Sequence, residues 1–590
     1  MDLSKTSADN KSPGQPDRPV IGLLLATLHT GASTTLWPAI MAEAQRRSVN
    51  LICFPGGRLG SGPDSEVQRN RVYDLAGAGC LDGLITWSSS IGGAVDAAVV
   101  EDFHQRWRDL PMVSLAHRLA GVPVIQVDAY SGMRQLINHL VEVHGHRRIA
   151  FLRGPGEHQS AQARYQAYVD ALAAHGLALD SSLVVGPMAW DAGTEAVRIL
   201  LDERQLIPGQ DFSALAAASD LMAFGAHKAL LARGYRIPQE IAVTGLNGTT
   251  ESQLSQPPLT TVHMPFVEQG EVAVANLLAM MESGVVAADV SLPSRMVIRE
   301  SCGCRSRSAA LAGQMGRPTV GPTGLSRPQM RQEWLDRIAE LGNFSLDQIS
   351  AWFGPFFDTL VEDLSENPET GSTSDLAGRS LEMLEKAMER GVASQAGMAD
   401  PDLTAWQDVI SLMRSSLWPN LPEAGRDRLD SLLDRCRVQI SEFIQRQSSL
   451  RHWESKRRSE LLREVGRSLQ AAWTVADLAD ALARNLAALE IAGAWLVLTE
   501  EPVADRVERE TGVAGQARMV LAQRGGQRSD LGPAGLLFAT EELVPADLRP
   551  VNPPWCMVVE PLYFQDRTVG YAVFQPGTWD GAVDEELRGY

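Results

Sequence analysis

Short apolar runs alternate with helical patterns along the first half of the chain. Between the runs lie amphipathic segments whose apolar residues repeat at the three- and four-residue steps of a helix, as in Met133, Leu136, Ile137, Leu140 and Val141. Alternating strands and helices indicate parallel sheets with crossover helices. We therefore expect an α/β fold of two lobes with a cleft between them. The predicted strands occupy 21–25, 51–54, 83–86, 112–115 and 149–152, followed by 183–185, 215–218 and 241–244.

The pattern changes in the middle of the chain. Residues 306–328 are rich in Gly, Pro, Ser and Thr, which predicts a linker. From 329 to 458 only helical patterns follow, so this region is predicted to be all-α. Its last helix has two open interpretations: a coiled-coil signalling helix that pairs with its twin, or a helix packed inside its own domain. The residues that keep the heptad step are Leu429, Leu433, Cys436, Ile440, Phe443 and Leu450.

From 459 to 590 the pattern mixes helices and strands again. Helices are predicted at 461–469 and 475–489, and strands at 494–498, 518–522 and 557–563. Gln565-Asp-Arg-Thr568 is predicted to turn the last strand into a hairpin with 569–574. This α+β arrangement resembles a GAF-type sensory domain.

One segment carries a specific family resemblance. His144-Gly-His-Arg-Arg-Ile-Ala-Phe-Leu152 looks like the corresponding segment of the ligand-sensor domain of the LacI/GalR regulators, which is itself similar to periplasmic sugar-binding proteins. The resemblance covers 19–305 and implies a two-lobed sensor with parallel sheets. Further segments agree in order and spacing: Asp82-Gly-Leu-Ile85, Val127-Asp-Ala-Tyr-Ser-Gly-Met133, Ser219-Asp-Leu-Met-Ala-Phe-Gly225, Ile237-Pro-Gln-Glu-Ile-Ala-Val243 and Pro258-Leu-Thr-Thr-Val262.

The resemblance implies a set of ligand-binding residues in the cleft. Asp128 takes the position of a carboxylate that accepts from a sugar hydroxyl, and Arg164 that of a ligand-clamping arginine. Trp190 takes the position of an aromatic ring that packs on the ligand, and Asp220 an acidic position at the mouth of the second lobe. Asp128 could instead cap the following helix, and Trp190 could be ordinary packing. The sequence departs from the family at Asn247, where an acidic residue is usual, and this puts the ligand class in doubt.

Loops after other strands offer further polar groups to the same cleft. The segment 26–37 carries His29 and Trp37, and Ser89 lies in the segment 87–90 at the end of another strand. Histidine and serine on loops are more often structural than functional. We nevertheless include His29, Trp37 and Ser89 among the predicted ligand-binding residues.

Composition limits the functions that the chain can have. Its 590 residues include 53 basic and 72 acidic ones, a net charge of −19, which argues against sequence-independent binding to nucleic acid. The absence of any run of about 18 apolar residues predicts no membrane span. Residues 1–18 are polar and predict a disordered tail without a secretion signal, so we expect a cytoplasmic protein.

Cysteine and motif searches add no catalytic chemistry. The six cysteines include one close pair, Cys302-Gly-Cys304, and without histidines nearby in the sequence we predict no metal site. Phosphate-binding loops, nucleophile elbows and zinc-helix motifs are missing from the sequence, so we predict no cofactor and no enzyme.

These observations support one main hypothesis and two alternatives. The main hypothesis is a cytoplasmic ligand-sensing regulator that binds a sugar, polyol or nucleoside, forms a homodimer and signals to a downstream partner or output module. The first alternative is a DNA-binding repressor, which we do not expect because the first strand begins near Val20 and leaves no room for a helix-turn-helix headpiece. The second is a glycoside- or nucleoside-processing enzyme that uses Asp128 and Asp220.

Overall fold

The computed structural model divides the chain into two compact units. The first comprises Met1–Val297, Ser301–Gly303 and Ser459–Tyr590, and the second comprises Ile298–Glu300 and Cys304–Arg458. Within the described part of the chain, no helix has the length and apolar character needed to cross a membrane. The structure describes residues 18–28, 30–60, 68–93, 95–305, 326–341, 346–365, 373–394, 405–418, 421–486, 488–499, 515–564 and 567–577.

The first 305 residues contain the strands and helices of the two predicted lobes. The strands are β1 (Val20–Leu25), β2 (Asn50–Pro55), β3 (Gly83–Thr86), β4 (Met112–Leu115), β5 (Val124–Val127), β6 (Ile149–Leu152), β7 (Val184–Val185), β8 (Ala214–Ala217), β9 (Ala242–Thr244), β10 (Thr261–His263), β11 (Val290–Leu292) and β12 (Arg295–Val297). The helices are α1 (Ser33–Arg46), α2 (Ser88–Gly92), α3 (Ala97–His104), α4 (Ala129–Glu142), α5 (Gln159–Ala174), α6 (Gly193–Arg198), α7 (Asp220–Ala232), α8 (Glu251–Leu254) and α9 (Phe266–Ser283).

Each lobe is built on a parallel sheet, as predicted. Lobe 1 has the strand order β11-β5-β4-β3-β1-β2, and lobe 2 has the order β7-β6-β8-β9. All residues of β2, β3, β4, β6, β8 and β9 are buried, because helices cover both faces of a parallel sheet. The predicted stripe of α4 is buried as well, with Met133, Leu136, Ile137 and Leu140 at 0% exposure.

The chain crosses between the lobes at three neighbouring places. It passes from β5 into α4 at Asp128, from β10 into α9, and from β11 into β12. Two hydrogen bonds tie the first and third crossings together: the backbone N–H of Asp128 donates to the carbonyl of Leu292 at 2.8 Å, and the hydroxyl of Ser294 donates to the carbonyl of Asp128 at 2.6 Å. This triple connection is the hinge of the two lobes.

The described part of the second unit is built mainly of helices. Its helices are α10 (Arg327–Leu341), α11 (Leu346–Ser365), α12 (Thr373–Ser394), α13 (Ala405–Leu417) and the first part of α14 (Glu423–Gln470). Leu429, Leu433, Cys436, Ile440 and Phe443 lie buried in the same hydrophobic core as Trp334 and Phe356. The start of the heptad pattern is therefore used for packing within its own bundle, which is the second of the two interpretations, whereas Leu450 is exposed.

The C-terminal region forms an antiparallel sheet that continues the sheet of lobe 1. Its strand order is β17-β18-β13-β14-β15, with β16 paired to β14. The backbone of β17 pairs in parallel with β2, in the register Cys556↔Leu51 to Val558↔Cys53. This pairing removes an open sheet edge from lobe 1. The elements are α15 (Val475–Asn485), β13 (Gly493–Thr499), β14 (Gln516–Arg524), β15 (Gln527–Arg528), β16 (Leu536–Ala539), β17 (Cys556–Phe564) and β18 (Arg567–Gln575).

The structure leaves parts of several predictions undescribed. All of the predicted tail at 1–18 except Arg18, most of the linker at 306–328 and the turn residues Gln565 and Asp566 lie outside the described residues. His29, a predicted ligand-binding residue, lies outside them too. The continuous sheet from lobe 1 to the C-terminal region was not predicted, because strand pairing between distant segments leaves no local signal.

Candidate functional site

The carboxyl ends of the lobe 2 strands bring several of the predicted residues together. Ser219 and Asp220 follow β8, Asn247 follows β9, and Gly154 follows β6 at the start of the loop that leads into α5. Arg164, in the second turn of α5, reaches the ends of both β8 and β9. In open parallel sheets this edge is where ligands bind.

Arg164 is the centre of this cluster. Its side chain is buried, and its Nη1 donates to the carbonyl of Ala218 at 2.5 Å while its Nη2 donates to Oδ1 of Asn247 at 3.3 Å. Its Nε is buried and has no hydrogen-bond partner among the described residues. Burial lowers the pKa of Arg164 to about 10, although the nearby Asp220 acts in the opposite direction. The guanidinium is therefore a buried cation in which one nitrogen has no partner among the described residues.

Trp190 and His158 stand beside this cation. The guanidinium carbon of Arg164 lies 5.2 Å from the centre of the Trp190 ring, and the His158 ring meets the same indole edge-on at 5.1 Å. Gly154 makes room for the indole, since a Cβ there would lie 2.6 Å from it. Trp190 is partly buried. Its indole ring lies against Arg164, His158 and Gly154.

Asp220 and Asn247 differ in burial and in the groups that they contact. The Asp220 side chain has no exposure, and its carboxylate accepts from the hydroxyl of Thr261 at 2.6 Å and from the backbone N–H of Thr249 at 2.8 Å. It thus lies inside the lobe rather than at its mouth. Asn247 is partly buried and adopts a positive φ of 140°, an unusual conformation for a residue other than glycine. This backbone turn directs its amide oxygen to Arg164.

Asp128 is a helix cap in the hinge. Its carboxylate accepts from the backbone N–H of Ser131 at 2.9 Å, at the start of α4. This geometry matches the capping interpretation, which satisfies an otherwise unpaired donor of the first helical turn. Within the described part of the chain, no hydrogen bond joins Asp128 to Arg164.

The residues predicted from lobe 1 are placed differently from one another. Trp37 is completely buried in the hydrophobic core of the lobe, and its indole N–H has no partner among the described residues. Ser89 is buried in α2, close to Gly93. A Cβ at Gly93 would lie 2.7 Å from the His158 ring of lobe 2, so the two lobes meet at this point.

His158 and His117 were missed by the sequence analysis. The backbone N–H of Arg118 donates to the side chain of Gln159 at 3.4 Å, which places the loop of His117 against the start of α5. Burial lowers the pKa of His158 to about 3, with smaller contributions from Arg164 and His117. Nδ1 of His158 and Nε2 of His117 are buried without a partner in the described chain. Neither histidine lies in a recognisable motif, so only the meeting of the lobes reveals them.

A second cluster of polar side chains lies away from the cleft, at the other end of α4. One ligand atom from each of His139, His144, Cys302 and Cys304 lies within 4.8 Å of the others. The sequence analysis predicted no metal site because it found no histidine near the cysteine pair in the sequence, and the fold supplies two. Burial lowers the pKa of both histidines. These four residues could hold a metal ion.

Comparison with known proteins gives the family of the first half of the chain. Residues 137–302 match the family described as the periplasmic binding protein-like domain. The regulator CelR of Thermobifida fusca is 36% identical over 183 residues, which cover 30% of this chain and 52% of CelR. The repressor CytR of Escherichia coli K12 is 30% identical over 219 residues, covering 36% of this chain and 60% of CytR.

Two further comparisons match a larger share of the chain. The solved complex of CelR with cellobiose is 26% identical, with a TM-score of 0.41, and the match covers 48% of this chain and 86% of that one. The lactose operon repressor of Klebsiella pneumoniae is 33% identical over 285 residues, which cover 48% of this chain and 75% of the repressor.

The family match at 137–302 falls within the sensor region. The chain spans about half to 60% of the length of CelR and CytR, so the similarity does not extend over the whole of either regulator. The relatives are named as transcriptional regulators and repressors, not as enzymes. Because the chain is 33% identical to the lactose operon repressor of Klebsiella pneumoniae over 285 residues, which cover 75% of that repressor, it belongs to the LacI/GalR family and carries its periplasmic binding protein-like sensor domain.

Proposed function

We propose that the protein is a ligand-sensing regulator that binds a small polar molecule between its two lobes. The observation that carries the proposal is Arg164, a buried guanidinium whose Nε has no partner in the described chain, at the carboxyl ends of the lobe 2 strands. An unused charged donor is costly inside a protein, and a ligand that accepts from it would offset this cost. The surrounding indole of Trp190 offers the flat apolar face that a sugar or nucleoside ring needs.

The charges around the cleft narrow the ligand class. Burial, followed by Arg164, His117 and Arg58, lowers the pKa of His158 to about 3, so this ring is neutral near pH 7. Arg164 and Arg58 supply positive charge, and Asn247 contributes an amide where the family usually has a carboxylate, in a chain whose net charge is −19. We propose a sugar, polyol or nucleoside, with preference for a form that carries a phosphate or carboxylate group.

Signal transmission would begin at the hinge. A ligand that contacts both lobes binds the closed arrangement more tightly than the open one, and it shifts the equilibrium by that difference in affinity. Lobe 1 is joined to the C-terminal region through the pairing of β2 with β17, so a change in lobe 1 acts directly on that region. We propose that the C-terminal region is a GAF-like sensory domain, which its antiparallel sheet and flanking helices support.

The remaining regulatory function is inferred from the family and is part of the same proposal. We propose a cytoplasmic homodimer that takes part in transcription regulation and acts on a downstream partner or output module. A glycoside-processing activity is disfavoured, because the carboxylate of Asp128 caps a helix. The carboxylate of Asp220 is fully buried and accepts hydrogen bonds from two threonines. The two carboxyl groups therefore do not form the facing pair that such chemistry uses. A gel-shift assay at increasing salt tests direct DNA binding.

A ligand screen tests the proposal. The full chain would be screened by thermal unfolding against matched pairs of sugars, polyols and nucleosides with and without a phosphate or carboxylate group. A ligand present at about one hundred times its dissociation constant adds about 2.7 kcal/mol of stability. X-ray scattering of the same samples should then show a more compact sensor with the bound ligand.

Matched variants connect any binding to the site. Arg164→Lys replaces the forked donor by a point charge and should weaken binding at least tenfold in calorimetry. Arg198→Lys alters an exposed arginine on the surface of lobe 2 and should bind as the native protein does. Equal affinity of the two variants would show that the ligand binds elsewhere, and no binding across the whole panel would remove the basis for a sensor of this ligand class.

A further inference from the structure

Four residues that are distant in the sequence meet at the end of the sensor domain. His139 lies in the last turn of α4 and His144 just beyond it, whereas Cys302 and Cys304 lie at the end of the sensor segment. Their ligand atoms lie within 4.8 Å of one another, and Sγ of Cys302 is 3.5 Å from Nε2 of His139. Two thiols and two imidazoles form the donor set of structural zinc sites.

Local contacts fix the position of Cys302 independently of the second unit. The neighbouring Ser301 is held in lobe 2 by hydrogen bonds: its backbone N–H donates to the carbonyl of Pro258, its carbonyl accepts from the backbone N–H of Val243, and its hydroxyl accepts from the backbone N–H of Thr260 at 2.8 Å. Cys302 is thus positioned by the fold of lobe 2. Cys304 follows it two residues later in the chain.

The histidine pair is equally well positioned. The helix α4 ends in a turn where the backbone N–H of Gly145 donates to the carbonyl of Val141 and that of His146 donates to the carbonyl of Leu140. His144 is held inside this turn. Gly303 adopts a φ of 107°, and a Cβ at this position would lie 3.3 Å from the His144 ring. A glycine between the cysteines therefore lets the chain approach the imidazole closely.

We propose that His139, His144, Cys302 and Cys304 bind one Zn²⁺ ion. A tetrahedral zinc ion bound at about 2.3 Å by sulfur and about 2.0–2.1 Å by nitrogen separates neighbouring ligand atoms by about 3.3–3.8 Å. The distance of 3.5 Å between Cys302 and His139 already falls in this range, and the limit of 4.8 Å for the whole set needs only small side-chain rotations.

The surroundings indicate a structural rather than a catalytic site. Four protein ligands leave no open position for water or substrate. The hydroxyl of Thr260 donates to Sγ of Cys302 at 3.1 Å, and such outer hydrogen bonds orient zinc ligands. The ion fastens the last residues of the sensor to α4, the helix that begins at the hinge with Asp128. It thereby stabilises the point at which the chain leaves lobe 2.

Metal analysis of the purified full chain tests the proposal. We expect about one zinc ion per chain after dialysis against metal-free buffer. Cys304→Ser and His144→Asn should each lose most of this zinc, because each removes one ligand that is only partly buried. His175→Asn is the matched control, since His175 is a histidine of the same lobe outside the cluster, and it should keep the native zinc content.

Cobalt provides a second readout that does not depend on how well the variants fold. The native chain, stripped with a chelator and titrated with Co²⁺, should develop the visible bands of tetrahedral cobalt and a thiolate charge-transfer band at one equivalent. Removal of zinc should also lower the thermal midpoint of the native protein, and added Zn²⁺ should restore it. A disulfide between the two cysteines, or a native chain without bound metal and without these cobalt bands, would overturn the proposal.

Discussion

Replacement of Arg164 by methionine should make the ligand-free sensor more stable while it abolishes ligand binding. Arg164 is 5% exposed and its charge is compensated only in part by Asp220, with Asn247 as a neutral partner. A residue with a purely structural role is expected to stabilise the folded protein. A residue with a ligand-binding role can destabilise the ligand-free protein and become favourable only when the ligand is bound. The variant Arg164→Met separates these two cases.

The magnitude follows from the pKa of Arg164 and its hydrogen bonds. A pKa lowered from 12.5 to about 10 corresponds to about 3 kcal/mol of destabilisation of the charged group. Both the folded and the unfolded chain hold the proton at pH 7, so this cost is present in full and is relieved only as the pH rises above 10. Methionine removes the charge, but it also removes the hydrogen bonds to Ala218 and Asn247, at about 1 kcal/mol each. The net stabilisation is about 1 kcal/mol.

Thermal and urea unfolding of the ligand-free variant measure this difference. A gain of about 1 kcal/mol raises the unfolding midpoint by about 2–4 °C. The exposed Arg198→Met serves as the control and should change stability by less than about 0.5 kcal/mol. A loss of 3 kcal/mol or more in Arg164→Met would refute the reasoning, because it would show that the guanidinium supports the fold of lobe 2 rather than a ligand.

Four further predictions concern other parts of the molecule. Gly154→Ala places a Cβ 2.6 Å from the Trp190 ring, so it should displace the indole, cost about 1–3 kcal/mol in unfolding experiments and weaken ligand binding in calorimetry. Burial lowers the pKa of His104 from 6.5 to about 4. As the pH decreases from about 6.5 to 4, this histidine is protonated in the unfolded chain before it is protonated in the folded chain, so the free energy of unfolding should fall. His104→Gln should reduce this pH dependence of stability, measured by urea titrations at several pH values. Phe356→Ala should destabilise the helical unit by about 3–5 kcal/mol, seen as a selective shift of one calorimetric transition. Val558→Asp buries an uncompensated carboxylate where β17 pairs with β2. The hydrogen-exchange rate of the β2 amides should then rise sharply. Unchanged exchange would show that pairing with β17 does not protect the β2 edge of the lobe 1 sheet.

Much of the sensor fold could be predicted because its elements are specified locally. The strands β1, β2, β3, β4 and β6 were predicted to within one residue, since each is an apolar run bounded by polar or turn residues. The strand β5 was not predicted, although it is as long as β3, β4 and β6 and, like β4, directly follows a proline. The family resemblance singled out Arg164 and Asn247, but it could not show that the two side chains bond to each other at one edge of the sheet.

The sequence by itself determined the period of each segment, the order of the strands along the chain and the residue types that reach the sheet edge, because these depend on neighbours a few residues apart. Only the tertiary structure decided which distant groups meet. It placed His158 against the opposite lobe, β17 on the edge of β2, and His139 beside Cys302 across more than half of the sensor. Such contacts arise from packing between segments far apart in the chain, and packing leaves no pattern in either segment alone.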